Sequence, residues 1–136
     1  MAILERELVS HVRSLISDEY RVYEEVGFYN RCIDMVLLSA ATVITVEFKI
    51  NDWRKALRQI RDHQIVADYS YLCMPKRRVA ADLMASLQDN GIGLWLNDNE
   101  NGTLDEILSP RETPYKWEFY KSSFVKMLAE REAIHE

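Results

Sequence analysis

Three β-prone runs follow one another with almost nothing between them, and this constrains the chain more than any other feature. Residues 20–26, 31–38 and 42–49 are rich in Val, Ile, Thr and Tyr, and they are joined only by Gly27-Phe28-Tyr29-Asn30 and Ser39-Ala40-Ala41. Connections this short exclude a crossover, so the runs pair antiparallel. The spacing predicts a three-stranded meander.

The flanking segments set the rest of the architecture. Leu4, Leu8, Val9, Val12, Leu15 and Ile16 recur at helical spacing and predict an amphipathic helix over 3–16. At about 100° per residue, Glu5 falls inside that apolar stripe, a carboxylate aimed at the core. After the meander, Asn51-Asp52 supplies an expected N-cap for a helix over 53–64, whose face of Trp53, Ala56, Leu57, Ile60 and Gln64 packs inward. The run 68–74 then reads as a fourth strand, reached by a helical crossover and so parallel to the third. A helix over about 77–88, a short strand over 92–96, an edge hairpin through Asn97–Gly102 into 103–108, and a last helix over 115–131 complete the chain.

The expected class is therefore α/β. A mixed central sheet begins as an antiparallel meander of three strands, continues through a helical crossover to a parallel fourth, and carries helices on both faces. One domain over 1–136 is expected, with its core in 3–96 and the edge hairpin, loop and C-terminal helix in 97–136. No apolar run is long enough to span a bilayer, and no signal peptide precedes the first helix. Cys32 and Cys73 lie in apolar runs without metal-ligand spacing, as buried free thiols would. These features point to a cytoplasmic protein.

Charge inside the strands carries the chemistry. Asp34 interrupts the second run, and Glu47-Phe48-Lys49 closes the third. An isolated charge buried in a sheet is costly, so such groups are paired, protonated or metal-bound. Alternation puts Thr45, Glu47 and Lys49 on one face of their strand, and it puts Asp34 on the face of Cys32 and Val36, opposite the Glu47 region. Two carboxylates and an ammonium on one patch suit phosphodiester hydrolysis. Hard oxygen ligands bind Mg²⁺ (or Mn²⁺), which polarises a phosphoryl oxygen and activates a water, while Lys49 orients that water and offsets phosphate charge. Asp34 and Glu47 are the expected metal ligands, with the backbone carbonyl of Phe48 a third.

On these residues the sequence resembles the PD-(D/E)xK nuclease superfamily, from about residue 3 to residue 75. Asp34 matches the acidic residue of the second core strand, although Ile33 stands where the motif has Pro, and Glu47-Phe48-Lys49 matches the (D/E)xK element. The resemblance implies the restriction-endonuclease-like fold and metal-dependent cutting of DNA, branched or damaged DNA included. It implies a metal-site role for Glu5 on the first helix and a catalytic role for Gln59 on the helix after the catalytic strand.

Bulk charge adds a constraint. The formal net charge of −5 argues against a protein that coats nucleic acid. Yet residues 53–78 hold Arg54, Lys55, Arg58, Arg61, Lys76, Arg77 and Arg78 against Asp62 and Asp68, a local +5 that could hold backbone phosphates. A solvated helix face is the ordinary meaning of such a cluster. Other residues also have plain readings: Asp34 pairing with Arg31, Glu47 with Lys49, and Glu5 favouring a helix N-terminus. The stripe Trp117, Tyr120, Phe124 and Leu128 reads as core or as a homodimer interface. His11, His63 and His135 read as surface residues. No Gly-rich phosphate loop, nucleophile elbow or CxxC motif is present. The other function class left open is a non-catalytic DNA-binding or subunit-assembly module that keeps the fold.

Overall fold

The computed structural model describes residues 3–114 and 116–135. Its elements run α1 (Glu5–Leu15), β1 (Arg21–Phe28), β2 (Arg31–Ser39), β3 (Thr42–Phe48), α2 (Trp53–His63), β4 (Tyr69–Pro75), α3 (Ala81–Asn90), β5 (Gly93–Asp98), β6 (Thr103–Leu108) and α4 (Glu118–His135). The six strands form one sheet whose spatial order follows the chain, β1-β2-β3-β4-β5-β6. Strands β1, β2 and β3 are the expected antiparallel meander, β3-β4 and β4-β5 are parallel, and β6 returns antiparallel at the edge.

Local chemistry explains the joints. The β1–β2 turn has Tyr29 and Asn30 both at positive φ (45° and 61°), the pattern of a two-residue hairpin whose twist matches its strands. Gly91 ends α3 in the left-handed region, its N–H returning to Gln88 and Leu87 carbonyls. Helix α3 begins at Ala81 rather than near Arg77, since residues 77–80 form no regular element and the N-cap Ala80 is extended. Asp52 does not cap α2 with its side chain. It takes a left-handed conformation (φ 43°) that turns the chain out of β3. Tyr115, the expected first residue of the last helix, lies outside the described residues.

The two sheet faces are covered differently. One face carries α1, whose Leu8 and Val12 pack on Met35, Leu37, Ile44, Val46, Phe48 and Cys73. On the other, α2 and α3 cover β4 and β5 through Ala56, Ile60, Leu83 and Leu87, while Phe124 and Leu128 of α4 cover Tyr23, Val36 and Val43 of the meander. Asp68 anchors that layer. Its buried carboxylate accepts the Val43 N–H at 2.8 Å and pairs with Lys121 (2.9 Å) and Lys116 (3.3 Å) from the chain entering α4. No described helix is long and apolar enough to cross a membrane.

Candidate active site

The period-two pattern of β2 breaks at Asp34. Ile33 belongs to the core under α4 and Met35 to the core under α1, so the strand does not place them on one face as regular alternation requires. The partner strand is irregular at the same level. Glu25 has φ 50°, and the register passes from Glu24↔Met35 to Val26↔Ile33. This distortion explains two departures from expectation. Cys32 is exposed rather than buried, and Asp34 turns toward a cavity under α1 instead of sharing a face with Val36.

Where the β2–β3 ladder ends, at Met35↔Val46, side chains take over the hydrogen bonding. The Asp34 N–H donates to Glu47 Oε1 at 3.1 Å, and the Phe48 N–H donates to Asp34 Oδ2 at 2.9 Å. Each carboxylate thus satisfies a backbone donor of the opposite strand. The arrangement locks both groups at the splayed end of the hairpin and leaves Asp34 Oδ1 and Glu47 Oε2 outside these two bonds. Phe48 takes part through its N–H. On its other side Phe48 pairs with Cys73, and the Lys49 N–H donates to the Cys73 carbonyl.

Glu47 is 2% exposed. Burial, and then the neighbouring Asp34 charge, push its carboxyl up to about 9, helped by a hydrogen bond between the two side chains, while the Asp34 N–H and the Lys49 ammonium act against the rise. Lys49 itself is half-buried. Near pH 7 Glu47 therefore holds its proton in the cation-free fold.

Behind Glu47 stands His63, which the sequence reading assigned to the surface. It is equally buried, with Nδ1 3.4 Å from Glu47 Oε1. Burial lowers its proton affinity to about 4, against the pull of Asp34 and Asp62, so the ring is neutral near pH 7. Its Nδ1 meets no full hydrogen-bond geometry, and neither does the buried Oε1 of Gln59, one helical turn earlier on the same side of α2. His11 is also not a free surface residue, since its Nδ1 lies 3.0 Å from Asn97 Oδ1. The His135 side chain lies outside the described residues.

Glu5 is exposed and does not point into the core, because it is the first residue of α1 and sits past the packed part of the stripe. It lines a cavity of about 490 Å³ that also takes in Arg6, Glu24, Glu25 and Asp34. Arg13 crosses this cavity to pair with Glu24 at 3.1 Å. Arg31 pairs with Asp62 (3.1 Å) and not with Asp34. Among the basic residues, Arg54 lies over the Trp53 ring and pairs with Asp82 at 2.7 Å, and Lys76 pairs with Asp98. Lys55, Arg58, Arg61, Arg77 and Arg78 are exposed.

The donor set decides what cation the residues fit. Among the described residues no group of three His, Cys, Asp or Glu side chains converges as a metal cage would require. Two apposed carboxyl groups fit a hard cation that keeps several waters. His63 and Arg6 are site residues that the sequence did not reveal.

No family model matches the chain, and no curated protein does. Solved structures do share its shape. One is an XisH family protein from Nostoc punctiforme, which superposes with a TM-score of 0.57 at 12% identity over 77% of this chain and 98% of that one. Another is Pyrococcus furiosus SfsA in complex with Ca²⁺, at a TM-score of 0.45 and 11% identity over 81% of this chain and 66% of that one. The first likeness bears out the expected fold, a mixed α/β sheet built of an antiparallel meander and a helical crossover to parallel strands.

Proposed function

We propose that the chain is a metal-dependent phosphodiesterase of the PD-(D/E)xK kind that cuts DNA. The observation that carries this reading is the reciprocal Asp34–Glu47 arrangement at the splayed end of β2 and β3. Two carboxyl groups are fixed against each other there, and burial with the Asp34 charge keeps Glu47 protonated until something takes its proton's place. A structural role alone gives little reason to bury such a pair, since burial and mutual repulsion both oppose its ionised form.

In this reading Asp34 and Glu47 hold Mg²⁺ or Mn²⁺ through their remaining oxygens. The bound cation supplies polarisation of the phosphoryl oxygen and a lowered pKa for an attacking water. Lys49 offsets the charge that builds on the phosphate and orients the water. Gln59 offers its unsatisfied acceptor to a water at the site. His63, neutral at pH 7, stands behind Glu47 with Nδ1 3.4 Å from Oε1 and limits how that carboxyl can turn. Arg58, Arg61, Lys55, Arg77 and Arg78 hold backbone phosphates, together with Arg54 and Lys76 once their acidic partners are exchanged for phosphate. Glu5 joins from the rim of the cavity it shares with Asp34.

The test is purified protein with Mg²⁺ or Mn²⁺ on plasmid and branched DNA. Cutting is expected, and Lys49→Ala is expected to abolish it. A preparation that cuts neither substrate, or a Lys49→Ala variant that cuts normally, refutes the mechanism. One observation favours a second reading, a non-catalytic DNA-binding module: among the described residues no third ligand completes the site. Calorimetric titration with Mn²⁺ separates the two, because only the enzyme reading expects binding that Asp34→Ala abolishes.

A further inference from the structure

The turn between β1 and β2 and the start of α4 together build an aromatic surface that packing does not consume. Tyr29, Trp117 and Phe119 are 67%, 58% and 76% exposed. They are not scattered. Tyr120 sits among them, stacked on Trp117 at 5.3 Å and edge-on to Tyr29 at 5.6 Å and to Phe119 at 5.8 Å. Phe28 continues the row, 4.5 Å from Tyr29 and 5.2 Å from the buried Phe124 that roots it in the core. Single exposed apolar residues are ordinary, whereas contiguous exposed rings mark a surface that binds something.

The charge beside these rings selects the ligand. Arg31 lines the same apolar cavity as Phe28 and Tyr29 and pairs with Asp62. Asp62 in turn lines a second cavity with Arg58 and Arg61. The rim thus carries three arginines against Asp62 and Glu118, positive on a molecule of net charge −5. Exposed aromatic faces flanked by arginines are the recognition chemistry of unpaired nucleotides, with bases on the rings and phosphates on the cations. An acidic or purely apolar partner would leave one half of this surface unused.

Position supports the same ligand. Tyr29 lies in the turn that opens β2, and Asp34 stands three residues beyond Arg31, about 10 Å along the strand. That distance corresponds to about three stacked nucleotide steps. The Arg31 guanidinium also lies close enough to act on His63, behind Glu47. A strand stacked on the rings therefore has a short path to the carboxylate pair.

We infer that Tyr29, Trp117 and Phe119, with Arg31 at their edge, form a stacking platform for single-stranded DNA that leads into the Asp34–Glu47 site. The choice of ligand rests on the phosphodiesterase reading. The binding test does not depend on cutting.

Fluorescence anisotropy of the full chain with a labelled oligo-dT strand, in EDTA to silence cutting, reads the platform directly. A blunt duplex serves as the second probe. Trp117→Ala and Tyr29→Asn, the latter retaining a residue that tolerates positive φ, are each expected to weaken single-strand binding roughly five- to a hundredfold. Duplex binding and the salt slope should stay unchanged, since no phosphate contact is lost. Both residues are exposed, so circular dichroism should show native folding in both variants.

Native single-strand affinity in both variants overturns the platform. So does a sedimentation result in which Trp117→Ala dissolves a dimer while oligonucleotide binding is untouched, because the occupant is then a second copy. A chain that binds oligo-dT through these rings yet cuts nothing keeps the platform and loses the catalytic proposal. A chain that cuts DNA with both variants unaffected does the reverse.

Discussion

Binding of a divalent cation to this chain should release a proton, and the Asp34–Glu47 pair sets how much. With its carboxyl pushed up to about 9 by burial and by Asp34, Glu47 is protonated in the cation-free protein at pH 7. A hard cation takes the carboxylate, so close to one proton must leave for each ion bound. The apparent dissociation constant should then fall about tenfold per pH unit on the way up to pH 9 and flatten beyond it. The same linkage has a stability side. Between about 4.5 and about 9 the folded chain holds a proton that the unfolded chain has lost, so cation-free stability falls as pH rises. The slope reaches at most about 1.4 kcal/mol per pH unit for one group, and saturating Mg²⁺ should remove it. Calorimetric titration with Mg²⁺ at pH 7, in two buffers of different ionisation enthalpy, counts the protons. Asp34→Asn, by removing the second cause of the shift, should reduce the count along with affinity. Proton release near zero with an affinity independent of pH from 6 to 8 refutes the reasoning.

Three further outcomes follow from particular contacts. His63→Ala should weaken Mn²⁺ binding about 10- to 100-fold, the usual cost of losing a partner that orients a ligand, with His63→Gln recovering part of it; a change below about twofold in calorimetry contradicts the role given to His63. Asp68→Asn leaves Lys116 and Lys121 without their shared carboxylate and should cost about 3 kcal/mol in urea unfolding at pH 7. Burial alone would raise the Asp68 carboxyl, but Lys121, the Val43 N–H and Lys116 together hold it below 3.8. Its contribution is therefore complete above that range and lost as pH falls through the folded value, so the gap between native and variant should close in acid. Gly93→Ala would set a Cβ 2.6 Å from the Tyr71 ring and 2.9 Å from Pro110, and should cost about 1–3 kcal/mol with an unchanged denaturant slope.

Much of the fold was legible because its signals are local. Val- and Ile-rich runs with short connections specify a meander without reference to anything distant, and the α2 crossover fixes β4 as parallel. The pairing of Asp34 with the Glu47 region was likewise a matter of register. What the sequence hid depends on departures from regularity. The break in alternation at Asp34 arises from paired distortions in β1 and β2, and no residue type announces it, since Glu25 takes a positive φ that Gly would normally advertise. Cys32 is exposed for the same reason. The burial of His63 was hinted at by its spacing of three from Ile60 and seven from Ala56, both on the inward face of α2. That hint is weak, because a histidine at the end of a helix is as often solvated. Glu5 fell on the apolar stripe by angle alone, but the stripe is packed only from Leu8 onward.

Because spatial order in the sheet follows chain order, the molecule has a natural order of assembly. Each strand finds its partner immediately behind it in the chain, so loop closure costs little at every step, and the sheet can grow from one edge during synthesis. Asp34, Glu47 and His63 all belong to the first half of the chain, and their scaffold precedes the parallel extension and the edge hairpin. Helix α4 is the exception. Made last, it must travel back over the first-made strands to set Phe124 against Phe28 and Arg131 against the Glu24 carbonyl. Until that docking step the meander has one bare face, and the aromatic row shared by Tyr29 and Tyr120 does not exist. A carboxylate pair formed early thus gains its nearest surface only when folding ends.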